Sequence, residues 1–546
     1  MYYLEEYAKK AINIAKSRNL PVVCRCGESP GGTKHIGNFN DNIRSYFIYL
    51  LIKNSNYPAI HIQTRDDMDP FRKLPKGYCD KKGNWHLNNK KILTKYNNYI
   101  GKPLFFIPSL DNCCKNMTKH FSYLYEKECK KLGLTDTIYV STHDLYIQGK
   151  FNKYIKSIFE NIQISRKIIL SVEKSKPNNY IPIFVICENC KKITGKITNF
   201  DINSETVDYL CSNRYLTKDY LAKGCLNKGT VNWNNGKTKM DWEFEWPAQM
   251  LIFNTILEPF GKDHLIGSWP ISKQIIKKVY KEKKPLVFFY EHFLFNKHKM
   301  ATRHGNIITI SQLMEILEPE IIRYLYTKRP QKQRNINLSQ IYHLINEFDR
   351  AEKLFFGLVN IKNKKEKNRL LKSYQLSMLF NIPKKFPNRI PFSSACYLIK
   401  TNSNNSLLKS TEKLFELNKY TKKRLKLIKN WIEKYNLNEY KLNFNKIYKS
   451  KILLKYDSSL SKEFSLFFFK KRTKMEIIKK IENISTKYNI SKKKLFIWFY
   501  NILFDKNKGP NIAFYLESQN LKSLNKIFTN RLNNESNQIF KKNIVK

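Results

Sequence analysis

One segment near the start of the chain constrains its fold more than any other. Residues 21–26 read as a short apolar strand, and the turn-rich run Gly27-Glu28-Ser29-Pro30-Gly31-Gly32-Thr33 follows. From His35 to Ile52 the apolar residues Ile36, Phe39, Ile43, Phe47, Leu50 and Leu51 recur at helical spacing. Residues 57–63 then alternate as a second strand. Strand, glycine turn, helix and strand in close succession make a βαβ unit, the opening of a parallel sheet. Ligands of such sheets bind at the carboxyl ends of the strands.

A turn that opens a helix presents free backbone N–H groups and the positive end of the helix dipole, which suits phosphate. Gly31, Gly32 and Gly37 lack side chains, so a ligand can approach the backbone closely. His35 and Asn38 are three apart and are expected on one face of the first helical turn. Both can hydrogen-bond phosphate oxygens. A histidine at a helix start is more often structural than catalytic, so neither feature decides the matter alone.

Mixed patterning continues through residues 101–150. Between Cys187 and Asn235 the texture changes to Cys, Asn and Gly with few long apolar runs, which reads as an inserted module. Mixed α/β patterning returns over 240–310. After Glu320 the pattern is helical nearly to the end, apart from a loop-like stretch at 383–391. No internal repeat is visible. The expected fold is an α/β Rossmann-like domain with a parallel sheet, a small Cys-containing insertion and an all-α C-terminal domain.

The net charge of +54 attracts polyanions. Lys, Asn, Ile, Tyr and Phe are over-used along the whole chain, as an AT-rich coding sequence would produce, so charge supports nucleic-acid binding only weakly. Eleven Cys at irregular spacing do not read as a disulfide framework. No apolar run approaches the roughly 18–20 residues that span a membrane. Residues 1–20 form an amphipathic pattern with Glu5 and Glu6, unlike a signal or transit peptide. A cytoplasmic location is expected. Cys187 and Cys190 have the spacing of a zinc knuckle, which Cys211 and Cys225 could complete. Thirteen residues separate the latter two, and buried free thiols are the other reading.

The segment Ser29-Pro30-Gly31-Gly32-Thr33-Lys34-His35-Ile36-Gly37-Asn38 resembles the first signature of class I aminoacyl-tRNA synthetases. It is most similar to the class I type of lysyl-tRNA synthetase, whose motif commonly ends in Asn. Gly31 departs from the usual Ser. Asp66-Asp67-Met68-Asp69-Pro70-Phe71-Arg72-Lys73, Lys239-Met240-Asp241-Trp242-Glu243-Phe244-Glu245-Trp246-Pro247-Ala248 and Glu258-Pro259-Phe260-Gly261-Lys262-Asp263-His264 follow in the family's order. So do Tyr290-Glu291, Glu347-Phe348-Asp349-Arg350 and Lys508-Gly509-Pro510-Asn511. The likeness is collinear over nearly the whole chain, specific over 21–357 and looser afterwards.

That resemblance implies activation of L-lysine with ATP and Mg2+, then transfer to tRNA(Lys). It implies catalytic roles for His35, Asn38 and Lys299. ATP would meet Pro30, Gly31, Gly32, His35, Gly37, Asn38, Asp263, Lys299, Met300 and Arg303. Lysine would meet Gly27, Ser29, Trp242, His264 and Tyr290. Structural zinc on Cys187, Cys190, Cys211 and Cys225 is implied by similar modules in relatives. Gln249 and Met250 stand where the family often has Arg and Trp, on what is expected to be the pocket's outer wall.

The family's mobile loop, approximately Lys-Met-Ser-Ser-Ser-Lys-Gly-Asn, is here Lys299-Met300-Ala301-Thr302-Arg303-His304-Gly305-Asn306. Lys299 and Arg303 remain as cations for the diphosphate. An eroded loop on a tRNA-binding descendant is one alternative, and a glutamyl-type class I enzyme is another. The implied domains are 1–186 and 236–320 for the two catalytic halves, 187–235 for the insertion, 321–360 for a helical connector and 361–546 for helical anticodon binding. Aromatics such as Trp431, Tyr435, Trp498 and Phe499 are mostly expected in the core of that last domain.

Overall fold

The computed structural model describes residues 2–234, 236–302, 305–402, 404–435, 453–470, 472–504, 507, 512–518, 524–525 and 528–529. Arg303, His304 and the run Lys508-Gly509-Pro510-Asn511 lie outside the described residues. Two compact units are present. The first comprises Met1–Met314, Pro319–Asn337 and Arg350–Lys384, and the second Glu315–Glu318, Leu338–Asp349 and Lys385–Lys546.

In the first unit, helix α1 (Tyr3–Arg18) buries the stripe Leu4, Ala8, Ala11 and Ala15 and stops at Asn19, a left-handed residue with φ 52°. Strand β1 (Val22–Glu28) is buried along almost its whole length, as a central parallel strand must be. Helix α2 (Asn40–Lys53) packs Ile43, Phe47, Ile48 and Ile52 inward. Its buried Arg44 donates to the carbonyls of Tyr326 and Lys328, both at 2.8 Å. Strands β2 (Ala59–Arg65) and β3 (Thr137–Ser141) follow, with helix α3 (Met117–Lys131) between them.

The Cys-containing insertion is built on an antiparallel sheet. Its strands are β4 (Ile183–Val185), β5 (Gly195–Asp201), β6 (Thr206–Cys211), β7 (Lys228–Asn232) and β8 (Thr238–Met240), in the order β7-β6-β5-β4-β8. It takes in strands on both sides of the span 187–235. Three-residue strands such as β4 and β8 are too short to show alternation in sequence. After helix α4 (Trp242–Ile252) come β9 (Leu257–Gly261), helix α5 (Ser268–Lys278) and β10 (Leu286–Tyr290).

The main sheet is parallel throughout, in the order β10-β9-β1-β2-β3. The chain leaves β1 toward β2 on one side and returns through β9 on the other. The switch in direction therefore lies between β1 and β9, where such sheets open a crevice.

Residues after 320 are not purely helical. Arg334–Ile336 forms a short strand parallel to Phe293–Phe295. In the second unit the helices Lys419–Tyr435, Asp457–Phe467, Lys474–Lys487 and Lys492–Phe504 dominate. Trp431, Trp498 and Phe499 are fully buried there, and Tyr435 is half-buried, so these aromatics serve mainly as core. Arg424 is also buried in this unit and is neutralised by Glu318 at 2.8 Å and Asp349 at 2.7 Å. No described helix is long and apolar enough to cross a membrane.

Candidate active site

A cavity of about 490 Å³ opens at the carboxyl ends of β1 and β9. Gly27, Glu28 and Ser29 bring β1 to it, and Phe260, Gly261, Asp263 and His264 bring β9. The cavity thus sits at the topological switch point, as the fold predicts.

His35 is not within the helix whose face it was expected to share with Asn38. It precedes a 3-10 turn, Ile36–Phe39, with an extended backbone (φ −105°, ψ 165°). Its ring Nδ1 accepts from the Gly37 N–H at 3.0 Å, and the Asn38 Oδ1 accepts from the His35 N–H at 3.0 Å. This reciprocal cap satisfies two donors that the turn would otherwise leave open. A ring nitrogen that accepts carries no proton, so Nε2 carries it. Burial, reinforced by the charges of Lys34, His292 and Lys299, holds the His35 pKa down at about 4. At neutral pH the ring is an uncharged Nε2–H donor.

The cap also explains Gly37. A Cβ there would lie 2.8 Å from the His35 ring. Gly37 is needed by the histidine as well as by a ligand. Pro30, Gly31 and Gly32 do not line the cavity, whereas Gly27, Ser29, His35, Gly37 and Asn38 do. Side chains fill the far side of that turn: a Cβ on Gly31 would meet Leu104 at 3.6 Å, and one on Gly32 would meet Thr302 at 3.5 Å.

Aromatic and acidic groups form the rest of the wall. Trp242 is half-buried and stacks on Trp246 with centroids 5.6 Å apart and planes 7° apart. The His264 ring lies 5.1 Å from Trp246. Trp246 donates its Nε1–H to Glu258 at 2.7 Å, whereas the buried Trp242 Nε1–H finds no partner among the described residues. Tyr290 is buried and gives its hydroxyl proton to the Asp41 carboxylate. Burial raises the Asp41 pKa to about 7, against the lowering effect of that hydrogen bond.

Several wall residues were not singled out from sequence: Glu28, Lys34, Asp41, Asp66, Asp69 and Glu258. Asp41 lies two turns past His35 with only a polar helix position to mark it. Of the acidic run after β2, Asp66 and Asp69 face the cavity. Asp67 turns away and accepts from Thr142 Oγ1 at 2.9 Å and the His143 N–H at 2.8 Å.

Gln249 is not on an outer wall. It is fully buried and bridges Asp66 and Glu245 with Nε2 contacts of 3.1 Å each. Arg25, also fully buried, holds Glu258 by both carboxylate oxygens at 2.6 Å. Met250 is buried beside Trp246 and Phe260.

The loop beginning at Lys299 closes one side. Lys299 Nζ contacts Asp263 at 3.0 Å and His292 Nε2 at 3.2 Å, and His292 reaches the other Asp263 oxygen at 3.0 Å. Asp263 is therefore engaged by both Lys299 and His292. Met300 is buried against Gly37, and Thr302 Oγ1 donates to the Thr33 carbonyl at 2.9 Å. Ala301 bridges Asn306 to close the turn.

Away from the cavity, the sulfurs of Cys187, Cys190, Cys211 and Cys225 all lie within 4.8 Å of one another. Cys187–Cys225 and Cys190–Cys211 are 3.6 and 3.7 Å apart. Thiolates about 2.3 Å from a tetrahedral ion sit about 3.8 Å apart, so the donor set fits zinc. Burial opposes ionisation of Cys225, but hydrogen bonds from the Asn227 N–H and the other thiols outweigh it and hold the thiol near 6. A second group of ligand-type side chains, Cys113, Cys114 and His120, was not read from sequence. Its Cys113 Sγ and His120 Nδ1 are 3.0 Å apart.

Comparison with known proteins agrees with this geometry. The family described as tRNA synthetases class I (K) matches residues 2–379. A lysine–tRNA ligase of Natronomonas pharaonis is 31% identical over 399 residues, 73% of this chain and 72% of the relative. One from Pyrococcus furiosus is 28% identical over 559 aligned positions, 94% of this chain and 97% of the relative. One from Thermococcus kodakarensis is 28% identical over 95% of this chain and 98% of the relative. With a parallel sheet open at its switch point, a self-capped His35 turn and a lysine loop against it, the chain belongs to the class I (K) tRNA synthetases.

Proposed function

We propose that this protein is a lysine–tRNA ligase, which activates L-lysine with ATP and transfers it to tRNA(Lys). One observation carries the choice of amino acid: the cavity wall combines stacked indoles with the carboxyl groups of Asp41 and Asp66. An aromatic face suits the methylene stem, and acids suit the two amino groups of lysine. A glutamate side chain would place a further negative charge among these acids, which disfavours a glutamyl specificity.

In the first step the lysine carboxylate attacks the α-phosphorus of ATP, and diphosphate leaves. In the second, a terminal ribose hydroxyl of the tRNA attacks the adenylate carbonyl, and AMP leaves. Neutral His35 offers Nε2–H, and Asn38 offers an amide N–H, to phosphate oxygens as charge builds on them. Lys299 leaves Asp263 to meet the diphosphate. Asp263 is then free to accept from a ribose hydroxyl. Gly27 and Ser29 border the amino-acid end with Trp242, His264 and Tyr290. Mg2+ arrives with ATP. Arg303 keeps its proposed ATP role from the motif alone.

The proposed domain roles are those of the sequence: catalysis over 1–186 and 236–320, with the helical region after 361 for the anticodon and the cytoplasm as the compartment. Zinc held by Cys187, Cys190, Cys211 and Cys225 would pin the insertion. Metal analysis is expected to find zinc that Cys225→Ser loses, and a zinc-free chain with four reduced thiols would reject the site.

ATP–diphosphate exchange with each amino acid tests the activity. Exchange driven by lysine is expected. Exchange with glutamate alone would move the specificity. The replacement of two loop serines by Ala301 and Thr302 keeps a binding-only descendant as the second reading, and absence of any exchange would favour it.

A further inference from the structure

Lys34 is an unusual lysine in a chain with 99 Lys and Arg. Its side chain is only 11% exposed and turns into the cavity beside His35. An ammonium is rarely withdrawn from water unless a partner needs its charge. The nearest acid is Glu28, whose carboxylate is 3.5 Å away and 3% exposed. Yet neither Glu28 oxygen accepts a hydrogen bond of good geometry among the described residues. Among the described residues, Lys34 donates its one hydrogen bond to the Ser29 carbonyl. With the looser Glu28 ion pair also counted, at least one of its three N–H donors is left for a ligand beside the cavity.

The other cations of the cavity are placed differently. Lys299 is paired with Asp263 and is 57% exposed, and Arg72 is exposed at the rim. The adenylation step proposed above brings the amino-acid carboxylate against the ATP phosphates, so two anions must meet. A cation shielded from solvent acts on them more strongly than an exposed one. Lys34 stands at this junction: it precedes His35, follows the Thr33 carbonyl to which Thr302 binds, and its charge reaches both His35 and Asp41.

We propose that Lys34 is a catalytic residue of the adenylation step, its ammonium bridging the attacking lysine carboxylate and the α-phosphate. The bond changes are those already described. Lys34 neither gains nor loses a proton, and it stabilises the charge that gathers as the carboxylate oxygen bonds to phosphorus. This inference rests on the lysine–tRNA ligase reading.

Lysine-dependent ATP–diphosphate exchange tests it on the full chain. Lys34→Met is expected to lower kcat about 10- to 100-fold, with KM for lysine shifting less than about threefold. Lys34→Arg should recover part of the rate. The double variant Glu28→Gln/Lys34→Met separates this role from simple neutralisation of Glu28. It is expected to stay as slow as Lys34→Met while melting at or above the temperature of that single variant. Recovery of exchange in the double variant, or a Lys34→Met rate matching the wild type, would overturn the catalytic role alone. A wild-type chain with no lysine-dependent exchange would overturn the underlying function and this role with it.

Discussion

The turn at residues 27–38 and the loop that begins at Lys299 both border the cavity, but they are held in opposite ways. The turn is fastened by its own backbone. His35 and Asn38 cap each other, and Gly37 leaves the room that this cap requires. The loop is fastened by side chains that reach elsewhere: Lys299 to Asp263, Met300 under Gly37 and Thr302 to the Thr33 carbonyl. Contacts between an exposed lysine and an exposed acid are weak and readily exchanged. The turn is therefore preorganised, and the Lys299–Asp263 pair is readily exchanged, as the proposed phosphate and diphosphate roles require.

If that contrast is right, substitutions in the turn should cost more than substitutions in the loop. Gly37→Ala forces the His35 ring out of its cap and is expected to lower lysine-dependent exchange at least about 100-fold, with the melting temperature little changed. Exchange near the wild-type rate would break the comparison. Lys299→Met removes a charge that is already paired in the resting site. It should lower kcat about 10-fold, with a smaller effect on KM for lysine. A loss larger than that of Gly37→Ala would reverse the order.

Asp41 sharpens the distinction, because on the proposed reading it meets the amino acid rather than phosphate. Its carboxyl titrates near 7, so it is mostly neutral at low pH and mostly ionised at high pH. An ammonium prefers the ionised form, so KM for lysine should fall as pH rises from about 6 to about 8. Asp41→Asn should flatten that dependence and raise KM at the upper end about tenfold. An unchanged pH profile in this variant would remove Asp41 from lysine recognition. The smallest effect is expected for Thr302→Val, which loses one hydrogen bond to the turn. A change of about two- to fivefold in KM for ATP, measured by exchange, fits a bond worth about 0.5–1 kcal/mol.

The legible parts of this molecule are those in which neighbours in sequence are neighbours in space. Strands β1 and β2, the glycine turn and helix α2 form one βαβ unit, and the alternation and the helical spacing of residues 21–63 show it directly. The Cys187–Cys190 pair is likewise local, although its partners Cys211 and Cys225 depend on how the insertion folds. The short strands β4 and β8 were hidden, because three residues carry too little pattern to tell strand from loop. His35 was placed in a helix when its side chain in fact builds the cap, since a capping histidine and a helical one share the same spacing to Asn38.

The sequence by itself determined the class of fold, the place of the His35 turn and the order of the family's segments. These follow from periodicity and from short motifs whose chemistry is local. The tertiary structure decided the acid wall. Asp41, Asp66 and Glu258 come from three separate elements and meet only because the parallel sheet brings its carboxyl ends together. It also decided which residues a ligand can reach. Burial turns Gln249 inward and Lys34 toward the cavity, and no spacing rule reports on burial.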